Sequence, residues 1–185
     1  MAEPTVQGDA PANAPAAAPE PAPVRAFTVR SLVAGFACAL IVITFIDLDH
    51  QIIPDVISLP GIPIFLLAAV FVMKLRFLDA FLGFLIGGGC LYVIAFVYEL
   101  LTKREGMGGG DIKLLAMIGA FLGWQSLLFV LLFSSLLGAV VGIAVMLAKG
   151  QDMKYAVPFG PFLSAAAAAY IFIGDAVMRL ILHGT

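Results

Sequence analysis

The chain has 185 residues, of which 62% are hydrophobic and only 12% charged, with a mean hydropathy of +1.09. A soluble domain carries about a quarter charged residues, so a water-facing globule is excluded. The formal net charge of −2 and the lack of a basic stripe argue against a nucleic-acid partner.

Residues 1–24 are rich in Ala and Pro and contain no Lys or Arg. That composition predicts a disordered or polyproline-like tail over 1–25. It lacks the basic start and apolar centre of a cleavable signal peptide. The remainder, 26–185, reads as one membrane-embedded domain.

Six apolar spans follow, at about 26–46, 56–73, 78–101, 112–123, 125–148 and 157–182. Runs of this kind default to helix in lipid, which cannot satisfy open backbone groups. A membrane β-barrel would alternate apolar and polar residues, and this chain does not. The predicted fold is therefore all-α and polytopic, with about six transmembrane helices and a disordered N-terminal tail. Pro60 and Pro63 in the second span are tolerable near a membrane-helix end. Gly87-Gly88-Gly89 in the third span and the alanine run 165–169 are expected to permit close helix packing. The fourth span is short for a full crossing. Cys38 and Cys90 sit in apolar runs as small hydrophobes, and no CxxC pair exists to build a zinc site.

Six spans place both termini on one side. Lys103, Arg104, Lys113, Lys149 and Lys154 then face Arg25, Arg30, Lys74, Arg76 and Arg179, and the positive-inside rule does not decide the orientation. The carboxylates are less evenly shared. Asp47, Asp49, Asp55, Glu105, Asp111 and Asp152 collect on one side, leaving Asp79, Asp175 and the tail acids on the other.

Ionisable residues at a membrane boundary are functional candidates. Asp47 directly follows "ITFI" and Asp111 directly precedes "IKLLAMIGAFLG". Two carboxyls brought together there would share one proton, the working state of an aspartic protease dyad. Gly108, Gly109 and Gly110 would allow a sharp turn, close approach of a substrate backbone, and exposed amides that favour ionised Asp111. Pro54 would stiffen the loop after Asp47 and push Ile53 away from helix. Plainer roles compete: Asp111 as an N-cap, Asp49 and Asp55 as solvated loop acids, and Lys113 as an interfacial anchor. With His50 and His183 on opposite sides, no metal site is expected, and no cofactor is implied. "GMGGGDIK" is not a P-loop, because no GK[ST] follows. The competing class is a proton-coupled transporter or assembly factor. Transporters, however, place acids near the bilayer midplane and often show internal repeats, which this chain lacks.

The stretch "DLDHQIIPD" (47–55), the "GGGD" of 108–111 and "VPFGPFLSAAA" (157–167), in this order, resemble the type IV prepilin peptidases among the GxGD membrane aspartyl proteases. The resemblance covers about 26–182. It implies a bacterial inner-membrane endopeptidase that cuts prepilins or pseudopilins after the glycine closing a short basic leader, at the cytoplasmic face. It assigns the catalytic aspartates to Asp47 and Asp111, with Asp49 a rival for the first. It also turns the loops at 47–55, 102–111 and 149–156 toward the cytoplasm. Bifunctional members carry paired CxxC motifs before the first span. Here that stretch has no cysteine, so a peptidase without N-methyltransferase activity is expected. The substrate's own membrane helix is expected to dock beside spans one and four, with Asp49, Asp55 and Glu105 attracting its basic leader.

Overall fold

The computed structural model describes residues 23–102, 108–149 and 158–182. Among them are six helices and no strand: α1 (Pro23–His50), α2 (Asp55–Phe71), α3 (Phe77–Thr102), α4 (Gly109–Leu122), α5 (Trp124–Lys149) and α6 (Gly160–Leu182). They match the six spans in order. Three apolar stretches, Ala26–His50, Phe77–Thr102 and Trp124–Leu147, are long and apolar enough to cross a membrane, while Asp55–Phe71 and Gly160–Gly174 are shorter apolar helices. The bundle displays Phe45, Leu85, Leu132 and Phe172 on its outside. Such side chains would be a liability in water and suit a lipid surround. Most of the tail, Glu105, Asp152 and the loop cations Lys103, Arg104 and Lys154 lie outside the described residues, as does His183.

α4 is the axis of the bundle. Every residue from Leu114 to Phe121 is buried, so this helix is apolar on all faces and enclosed by its neighbours. Its 14 residues rise about 21 Å, less than the ~30 Å hydrocarbon core. α2 and α3 flank it. Phe36 of α1, Phe65 of α2 and Phe121 of α4 meet at ring-centroid distances of 4.3–5.3 Å and tie three helices together.

The closest crossing is between α3 and α4. Gly83 lies against the backbone of Gly119 and Gly123, and Gly119 lies against the backbone of Gly83. A Cβ on Gly87 would come 2.6 Å from the Leu115 carbonyl oxygen. Two small-xxx-small patterns, Gly83/Gly87 and Gly119/Gly123, thus face each other and let the backbones touch. Of the expected glycine run, Gly87 and Gly88 pack on α4, whereas Gly89 meets nothing within 4 Å. Gly123 alone separates α4 from α5, with a φ of 84° that a side chain would strain. Pro60 and Pro63 lie inside α2 rather than near its end. Continuity of the helix through both shows that loss of two backbone donors is tolerated here.

Candidate active site

Asp47 is in the last turn of α1, not in a loop, because the helix continues to His50. The helix stops at Gln51, whose φ of 52° is left-handed and whose N–H donates to the Asp47 carbonyl at 2.9 Å. Asp47 and Asp49 are therefore about 200° apart around the helix. Asp47 faces inward at 5% exposure and Asp49 is exposed. Two candidates that are neighbours in sequence point to opposite sides.

From Gln51 the chain runs extended to Pro54, which occupies the N-cap position of α2 at φ −69° and ψ 122°. Its carbonyl accepts from the N–H of Ile57 and Ser58 and from the Ser58 hydroxyl. The expectation that Pro54 keeps Ile53 out of helix holds. Ile53 is buried against the start of α4, where a Cβ on Gly110 would come 2.7 Å from the Ile53 Cβ.

α4 begins two residues before Asp111. Gly108 is its N-cap, in an ordinary extended conformation at φ −63° and ψ 129°. Asp111 is the third helical residue, with its N–H bonded to the Gly108 carbonyl at 3.2 Å. Two expectations are corrected here. Asp111 does not cap the helix, since a carboxyl at that position is already inside the first turn. The glycines do not exploit forbidden angles, because none of the three has positive φ. Gly110 is needed for space against Ile53, while a Cβ on Gly108 or Gly109 would meet nothing within 4 Å.

The exposed helix amides also fail to keep Asp111 acidic. Burial pushes its pKa up to about 6, and the Asp47 carboxylate adds to the rise. Desolvation and a like charge outweigh the helix terminus.

The third element is the start of α6. Gly160 is buried, and its backbone lies against the Asp47 carboxylate. A Cβ here would come 2.5 Å from Asp47 Oδ2, an atom buried without a hydrogen-bond partner. Nothing in the sequence "PFGPF" marks Gly160 for this role, and no motif marks Ile53 or Gln51.

The end of α1, the segment leading into α2 and the start of α4 line a cavity of about 510 Å³. Asp47, Asp111, Pro54, Asp55, Gly108, Gly109, Gly110 and Lys113 line it, with Gln51, Ile52 and Ile53, and Asp49 does not. Asp55 and Lys113 form an ion pair, with Nζ to Oδ1 at 2.6 Å. Asp55 is thus not a free loop acid, and Lys113 holds α2 to α4 rather than acting only as an interfacial anchor. At the opposite end of α3, Asp79 accepts from Arg76 and from the Trp124 indole. It is tied into the packing between α3 and α5.

Fold and site together define a polytopic helical membrane protein in which two carboxyls, from the ends of two helices, line one cavity. Residues 34–143 match the type IV leader peptidase family, and the chain belongs to it. It is similar to proteins named prepilin leader peptidase/N-methyltransferase. The Aeromonas hydrophila relative is 43% identical over 76% of this chain and 48% of its own length. The Pseudomonas putida relative is 40% identical over 75% and 48%, and that of Pseudomonas aeruginosa 38% identical over 78% and 50%. The chain spans about half the length of the curated relatives it matches. No solved structure matches it.

Proposed function

We propose that this protein is an aspartic endopeptidase that removes the short basic leader of type IV prepilins or pseudopilins at the cytoplasmic face of the bacterial inner membrane. The observation that carries this reading is the arrival of Asp47 and Asp111 from two helices in one cavity of about 510 Å³. Membership of the leader peptidase family and relatives named for prepilin leaders support the substrate class.

In this mechanism Asp111 holds the shared proton, since burial and the neighbouring carboxylate raise its pKa to about 6. Asp47, with Gly160 packed against its carboxylate, acts as base. It draws a proton from water as the water oxygen attacks the scissile carbonyl carbon. Asp111 gives its proton to the carbonyl oxygen. The tetrahedral intermediate then collapses: the C–N bond breaks, the proton taken by Asp47 goes to the leaving amine, and the hydroxyl formed from the carbonyl oxygen returns its proton to Asp111 as the new carboxyl group forms. No covalent enzyme intermediate forms. Asp49 is outside the cavity and has no part in the chemistry.

The test is coexpression with a prepilin-type substrate, followed by intact mass and N-terminal sequencing of the product. A product shortened at the leader junction is the expected result. An uncut substrate, across a panel of prepilins and pseudopilins, would count against it.

A further inference from the structure

An apolar groove of about 400 Å³ runs along the outside of the bundle between α1 and α6. Ile41, Thr44 and Phe45 form one wall, and Ser164, Ala165 and Ala168 the other. Pro161, which also lines the groove, follows the Gly160 that lies against the Asp47 carboxylate.

A second observation marks this groove. Among the described residues, the buried side-chain oxygens and nitrogens without a hydrogen-bond partner are Asp47 Oδ2 and Ser164 Oγ. Ser164 is 4% exposed and lies one turn along α6 from Gly160, about 6 Å deeper. Thr44 across the groove already donates to the Leu40 carbonyl at 2.7 Å, so Ser164 Oγ is the hydroxyl left without a partner beside the groove. A buried hydroxyl left unpaired in apolar surroundings is costly unless an occupant supplies the partner.

We propose that this groove receives the apolar helix of the substrate that follows the scissile bond, with Ser164 Oγ accepting from an unpaired N–H in its first turn. The inference rests on the peptidase reading above. A leader precedes the cut, so the segment after it enters the membrane N-terminus first. The first four N–H groups of any helix lack intrahelical partners, and lipid offers none. Ser164 sits at the depth of such a turn when the peptide bond just before it is at Asp47. Ala165 and Ala168 leave room for a helix backbone to approach. A lipid chain would fill the same volume but leave the hydroxyl unpaired. The expected docking beside spans one and four moves accordingly to α1 and α6.

The experiment uses the full chain in membranes with two substrates, a complete prepilin-type protein and a peptide that spans its leader junction but lacks the apolar segment. Ala165→Phe fills the groove and is expected to raise KM for the complete substrate about tenfold while leaving the peptide within about twofold. Ser164→Ala is expected to raise KM for the complete substrate without lowering thermal stability. In an Asp111→Asn background, a photo-crosslinker at position 165 is expected to capture the complete substrate. One at Gly89, which lines a separate groove beside α4, is not. Unchanged KM for the complete substrate in Ala165→Phe would overturn the proposal, as would adducts from position 89 alone or equally from both. Failure of the wild type to cut either substrate would refute the peptidase reading instead, and the adducts would still decide the groove.

Discussion

Gly160 lies so close to Asp47 that one added methyl would come 2.5 Å from the carboxylate oxygen Oδ2. The start of α6 thereby positions a side chain from the end of α1. Gly160→Ala is expected to displace Asp47 and reduce cleavage by at least about tenfold, with the protein still inserted. The assay is cleavage per unit of enzyme in membranes, and activity near wild type would show that Asp47 has freedom the packing does not suggest.

The three glycines before Asp111 should respond differently to the same change. Gly109→Ala meets open space and is expected to stay within about twofold of wild type. Gly110→Ala drives a methyl into Ile53 and is expected to cost about 1–3 kcal/mol of stability and most of the activity. Thermal unfolding in detergent and cleavage assays, run on both variants, check the contrast. Equal effects would mean that the loop, rather than the space against Ile53, selects glycine.

Asp111 predicts a pH dependence whose sign follows from its raised pKa. The folded protein retains a proton that the unfolded chain releases from a carboxyl of ordinary pKa, 3.8. The contribution to stability is complete below about pH 4, is lost as pH rises through about 6, and is flat above that. At neutral pH the ionised carboxyl costs on the order of 2–3 kcal/mol. Asp111→Asn should therefore raise Tm at pH 7.5 and remove the slope between pH 4 and 6, while abolishing cleavage. In the wild type, kcat/KM should fall from about pH 6 upward as the acid is lost. A slope that persists in Asp111→Asn would assign it to another group.

The Asp55–Lys113 pair is partly exposed, so its direct contribution to stability is under about 1 kcal/mol. Its expected effect is on geometry, because Lys113 is two residues from Asp111 and Asp55 opens α2. Lys113→Met should lower kcat several-fold with little change in Tm, and the exchange of both charges should restore part of the loss. An unchanged kcat would reduce the pair to a surface contact.

Hydropathy alone located the six helices, because in lipid an apolar run has almost no alternative to helix. Spacing also brought the two carboxyls to one side. What linear order left open was direction. Asp47 and Asp49 are equivalent as neighbours in a string and separate only when α1 is known to continue to His50. The small-residue patterns Gly83/Gly87 and Gly119/Gly123 were present to be read. The triplet at 87–89 is the more conspicuous in the sequence, while the closer crossing is at Gly83 and Gly119. Gly160 needed the tertiary fold, since nothing within "PFGPF" says which side chain, 113 positions earlier, comes to lie on it.

The most direct measurement is cleavage of one prepilin-type substrate by Asp47→Asn, Asp49→Asn and Asp111→Asn, each checked for insertion in the membrane. Loss of the shortened product in the first and third, with the second close to wild type, is the expected result. Cleavage by Asp47→Asn or by Asp111→Asn would contradict the dyad, and loss confined to Asp49→Asn and Asp111→Asn would move the base to the exposed face of α1.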